Sequence, residues 1–320
     1  MLRFARYAVE YAALLGVRES VRYLAPERAV GLGEALGRRY ARAGAPRSAD
    51  AAINLRLAFP EWSDAERGGV LEASFANLGR HLTEVMLLQG PHRERLLAGV
   101  EVEGHEHYER ARSQSASGGV IVLTAHFGSW ELCGAAMAAR GYPMSVVHHG
   151  VANPWVDAMV SGWRRAAGVD EIPMGRAGTG VFRALSRGRA IAMLLDQNAH
   201  RDEGIFAPFF GRPALTRSGP ASIAMTRGVA VLPAFVFRVG DTPRHVLRMM
   251  PPLELESCGP EEDPARALGQ NVAAMNAAIE SAIRQAPDHW MWPHRRFKTQ
   301  PEGEPSPYPP RRRRIRRKTV

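Results

Sequence analysis

Residues Gly118 to Gly141 read GGVIVLTAHFGSWELCGAAMAARG. A glycine pair opens a run that is apolar almost without a break from Val120 to Ala125. A continuous apolar run bounded by glycines marks a strand buried on both faces, as parallel sheets require. The run stops at His126. Gly128 then permits a bend, Ser129 suits an N-cap, and the alanine-rich segment that follows reads as a helix closed by Gly141. Strand, bend and helix together form the repeating unit of an α/β sheet, and sites in such sheets gather beyond the carboxyl ends of the strands.

The same theme recurs on the C-terminal side. PMSVVHHG and NPWVDAMVSGWRRAAG read as a strand and a helix. DEIPMG, TGVFRALSRG and AIAMLLDQN give strand, helix and strand, and GPASIAMTRG with AVLPAFVFRVG gives another helix and strand. Residues 263–286 form a last amphipathic helix. On the N-terminal side, VEVEG reads as a strand and HEHYERARSQ as a short helix. Residues 1–95 read as mostly helical, with breaks at Pro26 and Gly44; Ser63 with Glu66 three residues on is a capping box. The expected fold is α/β: a central, mostly parallel or mixed twisted sheet flanked by helices, with a helical N-terminal region. Residues 1–95 form that region, 96–299 the core, and 300–320 a proline- and arginine-rich tail expected to be disordered.

The chain of 320 residues has a net charge of +10, but seven of those charges sit in the last ten residues, RRRRIRRKTV. The folded body is therefore only mildly basic. The tail suits anionic lipid headgroups or nucleic acid, or is simply solvated. Two cysteines, Cys133 and Cys258, exclude a disulfide framework or a cysteine-rich zinc site. No run of about 18 apolar residues is present, so no spanning helix is expected, nor is a secretory signal. Phe4, Tyr7, Tyr11, Leu14 and Leu15 share one helical stripe. That stripe suits either a bilayer interface or the protein's own core.

His126 is followed five residues later by Glu131. With 11 histidines and 32 acidic residues, roughly one such spacing is expected by chance, so the context must carry the reading. On a continuous helix the two side chains would diverge by about 140°; they meet only if the chain bends at Gly128. Glu131 then accepts a hydrogen bond from one ring nitrogen of His126 and stabilises the imidazolium, leaving the other nitrogen for a substrate hydroxyl. The alternative is a carboxylate in the first turn of a helix beside a half-buried histidine.

Several ordered blocks resemble the bacterial lysophospholipid acyltransferase family that adds secondary acyl chains to lipid A, the lauroyl/myristoyl acyltransferases. NLRLAFPEW, FANLGRHLTEVMLL and VEVEGHEHYERA are similar to its N-terminal part. GGVIVLTAHFGSWELCG resembles its block of His, four residues, then Asp or Glu. NPWVDAMVSGWRRAAG resembles the block with a functional arginine, which spacing places at Arg164. AIAMLLDQN resembles the block ending in Asp196 and Gln197, and FAPFFGRPALTRSGPASIA and WMWPHRRFK also fit.

The resemblance implies transfer of a fatty acyl chain from an acyl carrier protein (or acyl-CoA) thioester to a hydroxyl of a glycolipid. His126 would be the general base and Glu131 its holder; Arg164, Asp196 and Gln197 would support the site or bind substrate. The acceptor hydroxyl attacks directly, so no enzyme nucleophile is needed. No metal, organic cofactor or nucleic-acid partner is implied, and the expected location is peripheral, at the cytoplasmic face of the inner membrane. The acceptor would be a lipid A precursor, or another glycolipid such as a phosphatidylinositol mannoside. The family's N-terminal membrane anchor has no counterpart in the polar first 24 residues. Two rival readings remain: a thioester hydrolase using His126, and a non-catalytic membrane- or nucleic-acid-binding protein on the same fold. Other histidines, His148 and His149 at a strand end and His105 and His107, lack the Cys or acidic cluster that completes a metal site. Phe206, Phe209 and Phe210 suit an acyl groove or the core. Cys133 reads as a packed thiol.

Overall fold

The computed structural model describes residues 2–44, 47–257 and 263–310. The N-terminal region is helical, with α1 (Leu2–Val21), α2 (Pro26–Arg42), α3 (Ser48–Ala58), α4 (Asp64–Leu87) and α5 (Arg93–Ala98). Alternation begins with β1 (Val100–Glu103), α6 (His105–Ser113), β2 (Val120–Thr124), α7 (Trp130–Ala139), β3 (Met144–His148) and α8 (Pro154–Ala166). It continues through β4 (Asp170–Pro173), α9 (Ala177–Leu185) and β5 (Ala190–Leu194) to a hairpin of β6 (Gly204–Phe209) and β7 (Arg212–Arg217). Then follow α10 (Gly219–Arg227), β8 (Val231–Arg238), β9 (His245–Met249) and α11 (Pro264–Gln285).

Seven strands form one sheet in the order β1-β9-β8-β2-β5-β3-β4. Every neighbouring pair is parallel except β8 and β9, so the expected mixed α/β sheet is present. β2 sits at its centre. Ile121 and Leu123 point into one core with α9, α10 and α11, while Val120 and Val122 point into the other with α6 and α7. Covering both faces is why this strand has no polar alternation.

Local chemistry explains several boundaries. At the start of α4 the Ser63 hydroxyl accepts from the Glu66 N–H at 3.2 Å, and Glu66 accepts from the Ser63 N–H at 2.7 Å. Asn153 caps α8 through the Trp155 N–H and also donates to the Tyr7 carbonyl at 3.0 Å, tying α8 to α1. The N-terminal stripe thus packs inward: Tyr7 is buried, Tyr11 and Leu14 half-buried, and only Phe4 of that set is largely exposed. The β6–β7 hairpin is absent from the sequence reading. Its turn holds Phe210 and Gly211 with positive φ, 50° and 69°, and each strand carries a proline. Phe209 and Phe210 enter the core and Phe206 lies on the hairpin, so none lines the large cavity described below.

The expectation of disorder from residue 300 onward fails for residues 300–310. Tyr308 is buried; its hydroxyl accepts from the Phe297 N–H at 3.0 Å and donates to Asn54. The Arg295 guanidinium holds the Pro309 carbonyl at 3.0 Å. An aromatic anchor fastens a proline-rich segment whose conformational entropy is already low. The arginine run 311–320 and Cys258 lie outside the described residues. Among the described residues, no helix is long and apolar enough to cross a membrane.

α2 and α4 approach until backbones touch. A Cβ on Gly79 would fall 2.0 Å from the Gly33 carbonyl oxygen, and one on Gly33 would fall 2.4 Å from that of Gly79. Alanine normally favours a helix interior over glycine by about 1 kcal/mol, but here the contact is backbone and cannot swing away. Gly79→Ala is expected to cost about 2 kcal/mol or more net, seen as a lower thermal midpoint. An unchanged or higher midpoint would contradict this packing.

Candidate active site

Sheet register brings the site together. Thr124 of β2 pairs with Leu194 of β5. Two residues beyond each strand end, His126 and Asp196 therefore stand side by side. His126 Nδ1 lies 3.0 Å from Asp196 Oδ1. Asp196 is 2% exposed, and its other oxygen accepts from the Trp290 indole N–H at 2.8 Å. An ionised carboxylate only accepts hydrogen bonds, so His126 carries its proton on Nδ1. The Nε2 lone pair is left for a substrate.

The bend after His126 is held from two sides. Gly128 has φ 58°, and a Cβ there would meet the Val236 carbonyl oxygen at 2.1 Å, so no other residue fits. The closing segment runs alongside: the Gly128 N–H donates to the His289 carbonyl at 2.9 Å, and the Met291 N–H to the His126 carbonyl at 3.0 Å. The same segment fixes the loop after β5. His294 accepts from the Asn198 N–H at 2.9 Å, and the buried Arg296 donates to the Leu215 carbonyl at 2.8 Å. Burial lowers the His294 pKa to about 4, so His294 is neutral and able to accept.

The expected His126–Glu131 hydrogen bond is not formed. Instead Glu131, in the first turn of α7, is clamped by Arg164 of α8, whose Nε lies 3.1 and 3.2 Å from its two oxygens. Arg164 also reaches Glu171 of β4 at 3.3 Å. Thus Arg164, not the exposed Arg165, enters the site. The reason for the exchanged partner is topological. β5 lies next to β2, so Asp196 reaches the imidazole flank first, and Glu131 turns to the guanidinium. The Gln197 amide nitrogen lies 3.4 Å from both ring nitrogens of His126, beside the ring rather than in line with either nitrogen.

Electrostatics follow this geometry. Burial alone would push the His126 pKa down, but the charge and hydrogen bond of Asp196, with Glu131 behind, outweigh it and raise the value. Burial likewise opposes ionisation of Asp196, yet His126 and Trp290 hold its pKa at about 2. Glu131 is also desolvated, and Arg164 more than compensates, lowering its pKa. Both carboxylates are therefore charged near neutrality, and they surround a histidine that gains a proton readily.

A cavity of about 480 Å³ opens at these residues. His126, Glu131, Arg164 and Gln197 line its polar end, and Val122, Met137, Met144, Val146 and Ala192 its apolar walls. Such a volume is typical of small-molecule sites with a few polar groups at one end. Cys133 also lines it, but burial pushes that thiol up to about 12, so it is no nucleophile near pH 7. His81 of α4 is a site residue that the sequence did not reveal. Its ring lies against Trp130, tilted by 31° with centroids 3.7 Å apart, and Nδ1 is 3.3 Å from the Ser129 hydroxyl. Burial drops its pKa to about 4, which makes it a poor base for that buried serine. In the sequence His81 sits among helical residues, and nothing in its spacing links it to Trp130. His148 and His149 line the cavity rim. His148 faces Glu171 at 3.6 Å and His149 accepts from Arg217 at 3.1 Å. Among the described residues, no three His, Cys, Asp or Glu side chains are grouped to hold a metal ion.

The chain is similar to known proteins. The family model described as bacterial lipid A biosynthesis acyltransferase matches residues 1–299. The chain is 31% identical to the lipid A biosynthesis lauroyltransferase of Escherichia coli (strain K12) over 256 residues, covering 80% of each chain. It is 32% identical to the palmitoleoyltransferase of the same organism over 259 residues, again 80% of each. With the myristoyltransferase of that organism it shares 27% identity over 277 residues, 85% of this chain and 82% of the relative.

Proposed function

The chain belongs to the bacterial lipid A biosynthesis acyltransferase family, and from that premise we propose that it transfers a fatty acyl chain from a carrier thioester to a hydroxyl of a lipid A precursor. The carrying observation is His126: its Nδ1 is held by a buried carboxylate, and its Nε2 is available at the polar end of an apolar cavity. The acyl chain occupies the apolar part, where each buried methylene contributes about 0.8 kcal/mol. The donor is acyl carrier protein or acyl-CoA.

In this mechanism the acceptor hydroxyl attacks the thioester carbonyl while His126 Nε2 takes its proton. Negative charge develops on the carbonyl oxygen beside the N-terminus of α7, whose free N–H groups and dipole favour it. Collapse of the tetrahedral intermediate breaks the carbon–sulfur bond, and the imidazolium returns the proton to the leaving thiolate. The products are an ester and a thiol. Asp196 orients the ring, and Glu131, held by Arg164, stabilises the imidazolium. No enzyme nucleophile is required, in keeping with the neutral Cys133 and the buried Ser129. The enzyme works at the cytoplasmic face of the inner membrane as a peripheral protein.

The test is mass spectrometry of lipid A precursors incubated with the purified protein and acyl carrier protein thioesters of graded chain length. The expected result is a mass gain of one acyl chain on the glycolipid. Release of free fatty acid with no acylated lipid would mean a hydrolase instead.

A further inference from the structure

The outer face of α2 is largely exposed, with only the Tyr40 ring turned against Phe75 of α4 at a centroid distance of 5.8 Å. Gly33 and Gly37 carry one side of this helix onto α4, and the outer face is the adjoining flank, roughly 80° around the helix axis. That side displays Leu32, Leu36 and Tyr40 at four-residue spacing, 42%, 56% and 49% exposed, in one continuous stripe. Arg28 and Arg39 lie on the same face, and neither has an acidic partner among the described residues. The acids of α2 are engaged elsewhere: Glu34 pairs with Arg38 and Arg80, and Glu27 with Arg95. The face is therefore apolar and purely cationic.

Its position bears on the cavity. Gly33 packs against Gly79 and Thr83 of α4. The residue before Thr83, Leu82, is 52% exposed and also lines the catalytic cavity. Leu14 of α1 lines it too. The cavity wall and the α2 stripe are thus neighbours on one side of the molecule.

We propose that the outer face of α2 lies in the interface of an anionic bilayer. Leu32, Leu36 and Tyr40 sink into the headgroup–acyl boundary, and Arg28 and Arg39 engage lipid phosphates. A second copy of this chain is the weaker occupant, because a two-fold contact would set the same arginines against each other. Docking here sets the Leu82 side of the cavity against the lipid surface, and in that purpose the inference rests on the acyl-transfer reading.

The test is co-sedimentation of the full chain with vesicles of phosphatidylcholine, with and without phosphatidylglycerol. Leu32→Gln/Leu36→Gln is expected to lower vesicle affinity at least about tenfold. Arg28→Gln/Arg39→Gln is expected to lower it by about fivefold per arginine, on anionic vesicles only. The leucine double variant should keep wild-type transfer rates on detergent-dispersed substrates, whereas His126→Ala should bind vesicles normally. Vesicle binding lost in the leucine variant, in a protein that acylates no lipid, would uphold the docking face and sink the catalytic reading. Undiminished vesicle binding in that variant would sink the docking face, whatever the activity. So would a dimer that the leucine substitutions dissociate, seen by light scattering, with vesicle binding unchanged.

Discussion

His126→Gln is expected to lower acyl transfer by roughly 10²- to 10⁴-fold, the usual contribution of a positioned general base, with the fold retained. Glutamine can still donate an N–H to Asp196, so the buried carboxylate keeps a second partner beside Trp290. Alanine removes that donor as well. His126→Ala should lose activity to the same degree but also melt lower, since Asp196 is then desolvated with one hydrogen bond fewer. Comparing the two variants separates the chemical role from the structural one. Activity within a few-fold of wild type in His126→Gln would sink the base assignment. In the wild type, the base must be neutral to accept a proton. Because the folded environment raises the His126 pKa, kcat/KM should fall with decreasing pH through a value above the ordinary 6.5, measured over pH 5 to 9.

The strand–bend–helix from Val120 to Ala139 is legible because three local signals agree: an unbroken apolar run, a glycine at the turn and an alanine-rich helix. The four residues His126, Glu131, Arg164 and Asp196 are all found in one site, and local sequence places each at a strand or helix end. Their pairing is not legible. It depends on which strand lies beside β2, and strand order is a property of the whole sheet. Thr124 beside Leu194 turns Asp196 into the partner of His126, and Glu131 into that of Arg164. Trp290 is further still from local reading, since its indole reaches Asp196 from the closing segment. The β6–β7 hairpin escapes notice because its turn uses Phe210 at positive φ, a conformation a bulky residue adopts only when tertiary packing imposes it.

Asp196→Asn is expected to be nearly as damaging as loss of the base, for a reason its geometry makes specific. Asp196 accepts from two donors at once, His126 Nδ1–H and Trp290 Nε1–H. Asparagine offers one acceptor and one donor. If its oxygen faces His126, its amide N–H groups oppose the indole N–H and two buried donors go unpaired. If its oxygen faces Trp290, its N–H faces Nδ1 and forces the proton of His126 onto Nε2, where the base is needed. The second arrangement removes the base and the first is disfavoured by its unpaired buried donors, so activity falls steeply; a comparable loss in a Ser–His–Asp triad is about 10⁴-fold. The pH profile should shift as well. Without the carboxylate, burial and Arg164 are opposed at His126 only by the Glu131 charge, so its pKa falls and the acid limb of kcat/KM moves to lower pH beneath a much reduced maximum. Adding Trp290→Phe removes the competing donor, so asparagine can give its oxygen to Nδ1–H. The double variant should therefore be more active than Asp196→Asn alone, even though the indole itself is lost from the core. An Asp196→Asn protein with full activity, or a double variant no better than the single one, would show that the Trp290–Asp196–His126 chain does not set the tautomer.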